Sequence, residues 1–170
     1  MIETEAVNLG VLILRVAVGL TFAGHGYGKF FQGGKIEGTG RWFDSMGMRP
    51  GKMHALLAAS TEVGAGLLFA LGFLTPLAAM AMVAVMVVAG WTVHRENGFF
   101  IVGEGWEYTF IVAVIAIGVA TIGPGELSID NAIDLKLIGW TGLVISALGG
   151  VAAGVGQLAI FYRPNSVPSA

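Results

Sequence analysis

Long apolar stretches, separated by short polar connections, run through the whole sequence. A helix needs about 20 mostly apolar residues to cross a hydrocarbon core of roughly 30 Å. Five stretches approach or exceed this length, and the fourth is the shortest: residues 7–31, 53–73, 75–93, 108–122 and 137–162. The pattern therefore predicts five transmembrane helices.

Proline and glycine mark the ends of these helices. Pro76 lies at the start of the third stretch, where a proline fits because its missing N–H is no loss in a first helical turn. The fourth stretch stops at residues 123–125, which read Gly-Pro-Gly. In the first connection, Trp42, Phe43 and Met46 favour a short helix that rests on the membrane surface.

Composition supports a membrane protein and excludes several other classes. The chain of 170 residues is 55% apolar and only 12% charged, whereas soluble domains are about 25% charged. Its mean hydropathy is +0.79. A net charge of −2 offers no basic face for nucleic acid. Because the chain contains no cysteine, it has no disulfide, thiolate zinc site or cysteine nucleophile.

The basic residues are distributed unequally between the two ends of the predicted bundle. Positive residues are enriched in cytoplasmic loops, and the acidic start of the chain lacks the positive charge of a signal peptide. One end carries only Lys136, and the other carries seven basic residues: Lys29, Lys35, Arg41, Arg49, Lys52, Arg95 and Arg163. We therefore expect the N-terminus outside and the C-terminus in the cytoplasm.

The fifth stretch carries small residues at every fourth position. Small side chains let membrane helices approach closely, and the chain contains 27 glycines. The ridge consists of Gly142, Ser146, Gly150 and Gly154. Packing against the other helices is the expected use of this ridge, and a contact with a second copy or a partner protein is the alternative.

Two charged residues lie deep inside predicted spans, far from the ends. Arg15 is about 12 Å from the start of the first span, and Glu62 is about 16 Å from the outer end of the second. Each costs roughly 2.5–3.5 kcal/mol to insert, while polar contacts between membrane helices return about 0.6 kcal/mol. We expect these residues to meet near the midplane and to act in catalysis, with a purely structural ion pair as the alternative.

A second polar group gathers near the predicted cytoplasmic end. We expect it to line the mouth of a pocket that binds a cofactor, with Trp91, Trp106 and Tyr108 around it. Its members are His25, Lys29, His94 and Glu107. The alternative is an aromatic belt at the headgroup level. The three histidines show no metal-binding spacing, so no metal site is predicted.

The residues at the helix ends and in the spans resemble the DoxX family of membrane proteins. The resemblance extends over residues 9–134, through Gly-rich spans, the corner at residues 74–79 and the connection at residues 97–100. It includes Arg15, Gly19, Phe22, His25, Gly26, Lys29, Glu62, Gly64, Gly66, Gly72, Glu107, Tyr108 and residues 123–125. It implies an all-α, four-helix membrane domain over residues 1–134. Residues 135–163 would then add a fifth transmembrane helix, followed by a polar tail at residues 164–170.

The resemblance also implies a place in redox chemistry. Related proteins include a membrane subunit of a thiosulfate:quinone oxidoreductase and members of membrane-associated oxidative-stress complexes. The first hypothesis is a bacterial plasma-membrane component that takes part in the quinone-linked oxidation of a sulfur compound. Arg15 and Lys29 would donate to the carbonyls of the quinone, and Glu62 would exchange protons. The alternative is a non-catalytic scaffold that anchors soluble redox enzymes through its basic first loop, with a homo-oligomer as a further option.

Overall fold

A computed structural model describes residues 2–164, with side chains from residue 4 onward, so the tail predicted at residues 164–170 lies almost wholly outside the described residues. The described chain is helical, and its only bridge of the β type joins Met48 to Tyr162. The helices are α1 (Ile2–Phe31), α2 (Lys35–Ser45), α3 (Gly51–Leu71), α4 (Thr75–Ala89), α5 (Glu107–Ile122), α6 (Ile129–Ala132), α7 (Trp140–Leu143) and α8 (Gly150–Phe161).

Three of these helices are parts of two longer apolar rods. A π-helical turn and a short 3-10 turn extend α4 as far as Asn97, and another π-helical segment joins α7 to α8. Four rods of the described chain are long and apolar enough to cross a membrane: Thr4–Phe31, Gly51–Leu71, Thr75–Asn97 and Trp140–Phe161. The apolar helix α5 is shorter. The fold is therefore the expected all-α, multi-pass membrane bundle.

These four rods and α5 run alternately between two ends of the bundle. Trp140–Phe161 is the last of the five along the chain, and we call it the fifth rod. At the end that contains α2, the Arg49 N–H donates to the Phe161 carbonyl at 3.3 Å. At the opposite end, which we call the corner end because it holds the α3–α4 corner, the Glu126 N–H donates to the Asn8 side chain at 3.1 Å. We call the first the α2 end. The side of the membrane that each end faces stays a prediction.

Glycine brings the backbones of α1 and α3 into contact. A Cβ atom on Gly66 would lie 2.5 Å from the Gly19 carbonyl oxygen, and a Cβ on Gly19 would lie equally close to the Gly66 oxygen. Two turns further along α1, a Cβ on Gly26 would lie 2.6 Å from the Ala59 oxygen of α3. A larger residue at any of these glycines would therefore push α1 and α3 apart.

The small-residue ridge of the fifth rod is covered by the chain itself. Ser146 is fully buried, and a Cβ on Gly150 would lie 2.6 Å from Cβ of Val83 on α4. A Cβ on Gly154 would lie 2.7 Å from Cβ of Val87. The prediction that this ridge packs against the other helices is therefore confirmed.

Gly66→Ala should destabilise the bundle by about 1–3 kcal/mol, because the new methyl group would overlap the Gly19 backbone. The free energy of unfolding in mixed detergent micelles measures the effect. Gly64→Ala is the matched control, since nothing lies within 4 Å of a Cβ at that position on the same helix. Equal stability of the two variants would contradict the close crossing.

Candidate functional site

A cavity of about 610 Å³ occupies the α2 end of the bundle. Its walls come from α1, α3, α4, α5 and α8, and Trp42 and Phe43 of α2 and Met46, directly after that helix, also line it. The helix predicted at these three residues exists, and it contributes its apolar side chains to a cavity. Most of the lining is apolar, including Met80, Met86 and the alanines of α4.

A buried ion pair lies on the wall of this cavity. The Lys29 Nζ donates to both carboxylate oxygens of Glu62, at 2.6 and 2.8 Å. The Glu62 side chain is 6% exposed and that of Lys29 is 21% exposed. The pair forms because Gly26, one turn before Lys29, lets α1 approach α3 at Glu62. The charges neutralise each other inside an apolar bundle, where an isolated charge would be costly.

Tyr108 and His25 extend this polar centre across the gap between α5 and α1. Their ring centroids are 5.2 Å apart, and both line the cavity. The Tyr108 hydroxyl is buried, and no group within residues 4–164 forms a hydrogen bond with it. His25 is also exposed on the outer surface of the bundle. His25 therefore lines the cavity and is also accessible from outside the bundle.

A second polar group of the cavity joins α3 to the fifth rod. Nε2 of Gln157 lies 3.1 Å from Nδ1 of His54, and the edge of the His54 ring packs on Phe161 with centroids 4.7 Å apart. His54 is only 1% exposed. The fifth rod, which lies outside the predicted four-helix domain of residues 1–134, thus contributes to the wall of the cavity.

The connection between α4 and α5 forms the rim. Nδ1 of His94 contacts the Glu104 carbonyl oxygen at 2.6 Å, and His94 and Ile101 line the cavity. Glu107 does not line it. Its carboxylate accepts a hydrogen bond from the Ile101 N–H at 2.8 Å, which ties the connection to the start of α5.

The predicted pairing of Arg15 with Glu62 is wrong. Arg15 is fully buried, but it lies at the corner end, where its Nη2 donates to the Leu127 carbonyl at 2.6 Å. Its charge is balanced in part by the nearby Asp130. Lys29 is the partner of Glu62 instead. Arg15 does not line the cavity.

The error came from the assumption that α1 and α3 end at the same level. Helix α1 begins at Ile2 and extends past the end of α3, so Arg15 lies beside Gly72, where a Cβ atom would clash with the guanidinium. Glu62 lies instead opposite Gly26, which is eleven residues and about 16 Å further along α1.

Asp130 completes the closure of the corner end. Its carboxylate accepts hydrogen bonds from the Leu74 N–H at 2.7 Å, the Thr75 N–H at 2.9 Å and the Thr75 hydroxyl at 2.6 Å. Asp130 and Thr75 are buried. These contacts cap the start of α4 and fasten the segment that contains α6 to the α3–α4 corner.

The structure thus brings four of the six predicted site residues together and separates two from them. The four cavity residues are Glu62, His25, Lys29 and His94, whereas Arg15 and Glu107 hold other parts of the fold. His54 and Gln157 were not predicted as site residues. His54 lies eight residues before Glu62, which places both on one stripe of α3, and that spacing was the available signal.

The described residues contain no group of three or more His, Asp or Glu side chains placed to hold a metal ion. The polar groups that line the otherwise apolar cavity include one ion pair, one tyrosine hydroxyl and several histidine rings. Such a site suits an apolar ligand that carries a few polar atoms.

Comparison with known proteins establishes the family. The DoxX family profile matches residues 10–95. A Bacillus subtilis (strain 168) protein named "Putative oxidoreductase CatD" is 31% identical over 126 residues, which are 74% of this chain and 88% of that protein.

A protein of Haemophilus influenzae (strain ATCC 51907 / DSM 11121 / KW20 / Rd), named "Uncharacterized protein", is 25% identical over 114 residues, which are 62% of this chain and 76% of that protein. No solved structure matches at a significant level. The chain belongs to the DoxX family of membrane proteins.

Lys29→Met should cost about 3–5 kcal/mol of unfolding free energy, because it leaves the Glu62 carboxylate buried without a counter-charge. The double variant Lys29→Met/Glu62→Gln should recover most of that loss. Unfolding in mixed micelles, arranged as a double-mutant cycle, measures the coupling between the two residues.

Lys52→Met provides the control for this cycle. Lys52 pairs with Glu37 at the surface of the α2 end and lowers the pKa of that carboxyl through a hydrogen bond. Because both side chains are exposed, loss of this pair should leave stability unchanged within error. An equal loss in Lys29→Met and Lys52→Met would contradict the burial of the Lys29–Glu62 pair.

Proposed function

We propose that this chain is an integral membrane component of a redox system and that it binds a lipid quinone in the cavity at the α2 end. One observation carries the proposal: a buried Lys29–Glu62 ion pair lines an apolar cavity, and His25, which also lines that cavity, is exposed. A ligand that is dissolved in the bilayer can reach such a cavity without passing through water.

The size and chemistry of the cavity fit a quinone. Small-molecule sites have volumes of about 300–1,000 Å³ and combine apolar walls with a few polar groups, and this cavity has about 610 Å³. The buried Tyr108 hydroxyl, which lacks a partner in the described part of the chain, is available to donate to a carbonyl oxygen. The methionines Met80 and Met86 supply soft, adaptable surface for an aromatic ring.

Each polar residue of the cavity has a distinct role in this proposal. Lys29 donates to the nearer quinone carbonyl and keeps its contact with Glu62, since an ammonium group has three donors. Glu62 holds or releases a proton next to that carbonyl. The ligand would enter beside the exposed His25, and His94 lies at the rim. A bound quinone would supply an acceptor of two electrons and two protons.

The electron donor is a reduced sulfur compound, as the family resemblance implies. Two thiosulfate-type anions that join through a new S–S bond release two electrons, which together with two protons convert one quinone to its quinol. The similarity to a protein named as an oxidoreductase agrees with a redox role. Membership of the DoxX family supports a multi-pass protein in a lipid bilayer, and we assign it to the bacterial plasma membrane with the α2 end in the cytoplasm.

The proposal gives Arg15 a supporting role in place of the catalytic role predicted from the sequence. Its contact with Leu127 holds the corner end closed, and Glu107 likewise holds the rim. Both residues would affect ligand binding only by changing the shape of the bundle.

A scaffold for soluble redox enzymes is the second candidate function. It is favoured by Lys35 and Arg41, which are exposed on α2 and available to an acidic partner protein. Substitution of both residues by Gln should release such a partner and leave retained lipids unchanged. In the quinone proposal, by contrast, ligand retention depends on the residues of the cavity and not on Lys35 or Arg41.

Protein purified in nanodiscs should retain about one quinone per chain, measured by lipid extraction and mass spectrometry. The variant Lys29→Met/Glu62→Gln should retain at least tenfold less, because it removes the charged donor while it leaves no unpaired charge. Lys52→Met, which changes an exposed ion pair, should retain the same amount as the natural chain. Absence of quinone from the natural chain, even after incubation with added quinone, would contradict the proposal.

A further inference from the structure

The cavity has a second polar pole that the proposed reaction does not use. His54 and Glu62 lie on one stripe of α3, eight residues and about 12 Å apart along the helix axis. Both line the cavity, and the residues between them on the wall include Leu57 and Ala58. The Lys29–Glu62 pair and Tyr108 form one pole, and His54 with Gln157 forms the other.

The hydrogen bond from Gln157 determines what the His54 ring offers to a ligand. The Gln157 amide donates through Nε2 to Nδ1 of His54 at 3.1 Å. A neutral imidazole that accepts at Nδ1 carries its proton on Nε2. The second nitrogen of His54 is therefore a donor that points away from Gln157.

That donor has no partner in the part of the chain that the structure describes. Nε2 of His54 is buried and makes no hydrogen bond. The backbone of Arg49 and the carboxylate of Asp44 also act on the charge of the ring. A buried donor without an acceptor costs about 1–3 kcal/mol, and a ligand oxygen would remove that cost.

We infer that the cavity recognises a ligand with two acceptor oxygens on one apolar body, and that His54 Nε2–H and the Tyr108 hydroxyl are the two donors. The inference rests on the proposed function and deepens it, because a para-quinone carries two carbonyl oxygens at opposite edges of its ring. Tyr108 approaches the ligand from α5, beside His25 of α1. His54 approaches from α3 and is held by α8 through Gln157.

The fifth rod then contributes to specificity as well as to packing. The DoxX profile ends at residue 95, and Gln157 lies in α8, well beyond that match. Helix α8 places Gln157 against His54 because its small residues let it pack closely on α4. His54 acts by direct contact with the ligand, and Gln157 positions the proton of His54.

The test compares two ligands that differ in one carbonyl. Menadione has two carbonyl oxygens on a fused ring, and 2-methyl-1-tetralone has one on a similar fused ring. Binding to quinone-depleted protein in nanodiscs is measured by equilibrium dialysis with mass spectrometry. We expect the natural chain to bind menadione about tenfold more tightly, which is the effect of one satisfied buried donor.

Variants assign this preference to particular donors. His54→Phe should reduce menadione affinity about tenfold and leave tetralone affinity unchanged, because the tetralone carbonyl still reaches Tyr108. The double variant His54→Phe/Tyr108→Phe should weaken both ligands. His54→Gln should restore the menadione preference, since its amide offers an N–H near the position of Nε2.

Thr92→Val is the matched control. Thr92 lines the cavity, but its hydroxyl already donates to the Val88 carbonyl at 2.8 Å within its own helix. This variant should bind both ligands as the natural chain does. Loss of the menadione preference in Thr92→Val would point to a general change of cavity shape and would contradict the assignment to His54.

Two outcomes separate the two proposals. If the natural chain binds neither menadione nor a longer-chain quinone, the proposed quinone function is wrong, and the inference about two donors falls with it. If menadione and tetralone bind equally well and His54→Phe changes neither affinity, the quinone site stands and the role of His54 is refuted.

Discussion

The cost of a charge in hydrocarbon is the constraint on which this structure depends. Glu62 lies within a membrane-spanning helix and is almost completely buried, so it needs a counter-charge at hydrogen-bond distance. Lys29 provides it at 2.6 Å. The pair can form only because Gly26 and the Gly19–Gly66 crossing let the backbones of α1 and α3 touch. The close packing of small residues is therefore what allows the two charges to pair.

The two ends of the bundle use their polar residues differently. At the corner end, Arg15 and Asp130 form hydrogen bonds with backbone groups of the connecting segments, although Nε and Nη1 of Arg15 have no hydrogen-bond partner among the described residues. The interior there is filled by residues such as Phe69. At the α2 end, the helices surround a cavity, and two buried polar atoms of its lining, His54 Nε2 and the Tyr108 hydroxyl, have no hydrogen-bond partner among the described residues. Unsatisfied donors are costly in an apolar interior. Those of the α2 end belong to residues that line a cavity of ligand size, whereas Arg15 does not line it, which is why we place the ligand at the α2 end.

Much of the fold could be predicted from the sequence because hydrophobic length is a direct physical requirement of a bilayer. The five apolar stretches, the Pro76 corner and the packing of the fifth rod all follow from residue type and spacing. The register of α1 on α3 could not be obtained in this way. Arg15 and Lys29 both lie in α1, and only the offset between the helix ends decides which of them meets Glu62.

Part of the candidate site could be predicted from helical periodicity. His25 and Lys29 share a stripe of α1, and that periodicity is visible in the sequence. The pairing of His54 with Gln157 joins positions 103 residues apart, and no local pattern reports a contact of that range. Glu107 was misjudged because a glutamate at the start of a helix is equally suited to a pocket and to a backbone N–H, and the fold uses it for the latter.

The contact between Lys29 and Glu62 can be tested in the unaltered chain. A membrane-permeable carbodiimide activates a buried carboxyl group, and an amine in direct contact then forms an isopeptide bond, which peptide mass spectrometry locates. The account predicts a cross-link between Lys29 and Glu62, which lie 2.6 Å apart. Modified Glu62 without a bond to Lys29 would contradict the pairing, and with it the polar centre on which the proposed site is built.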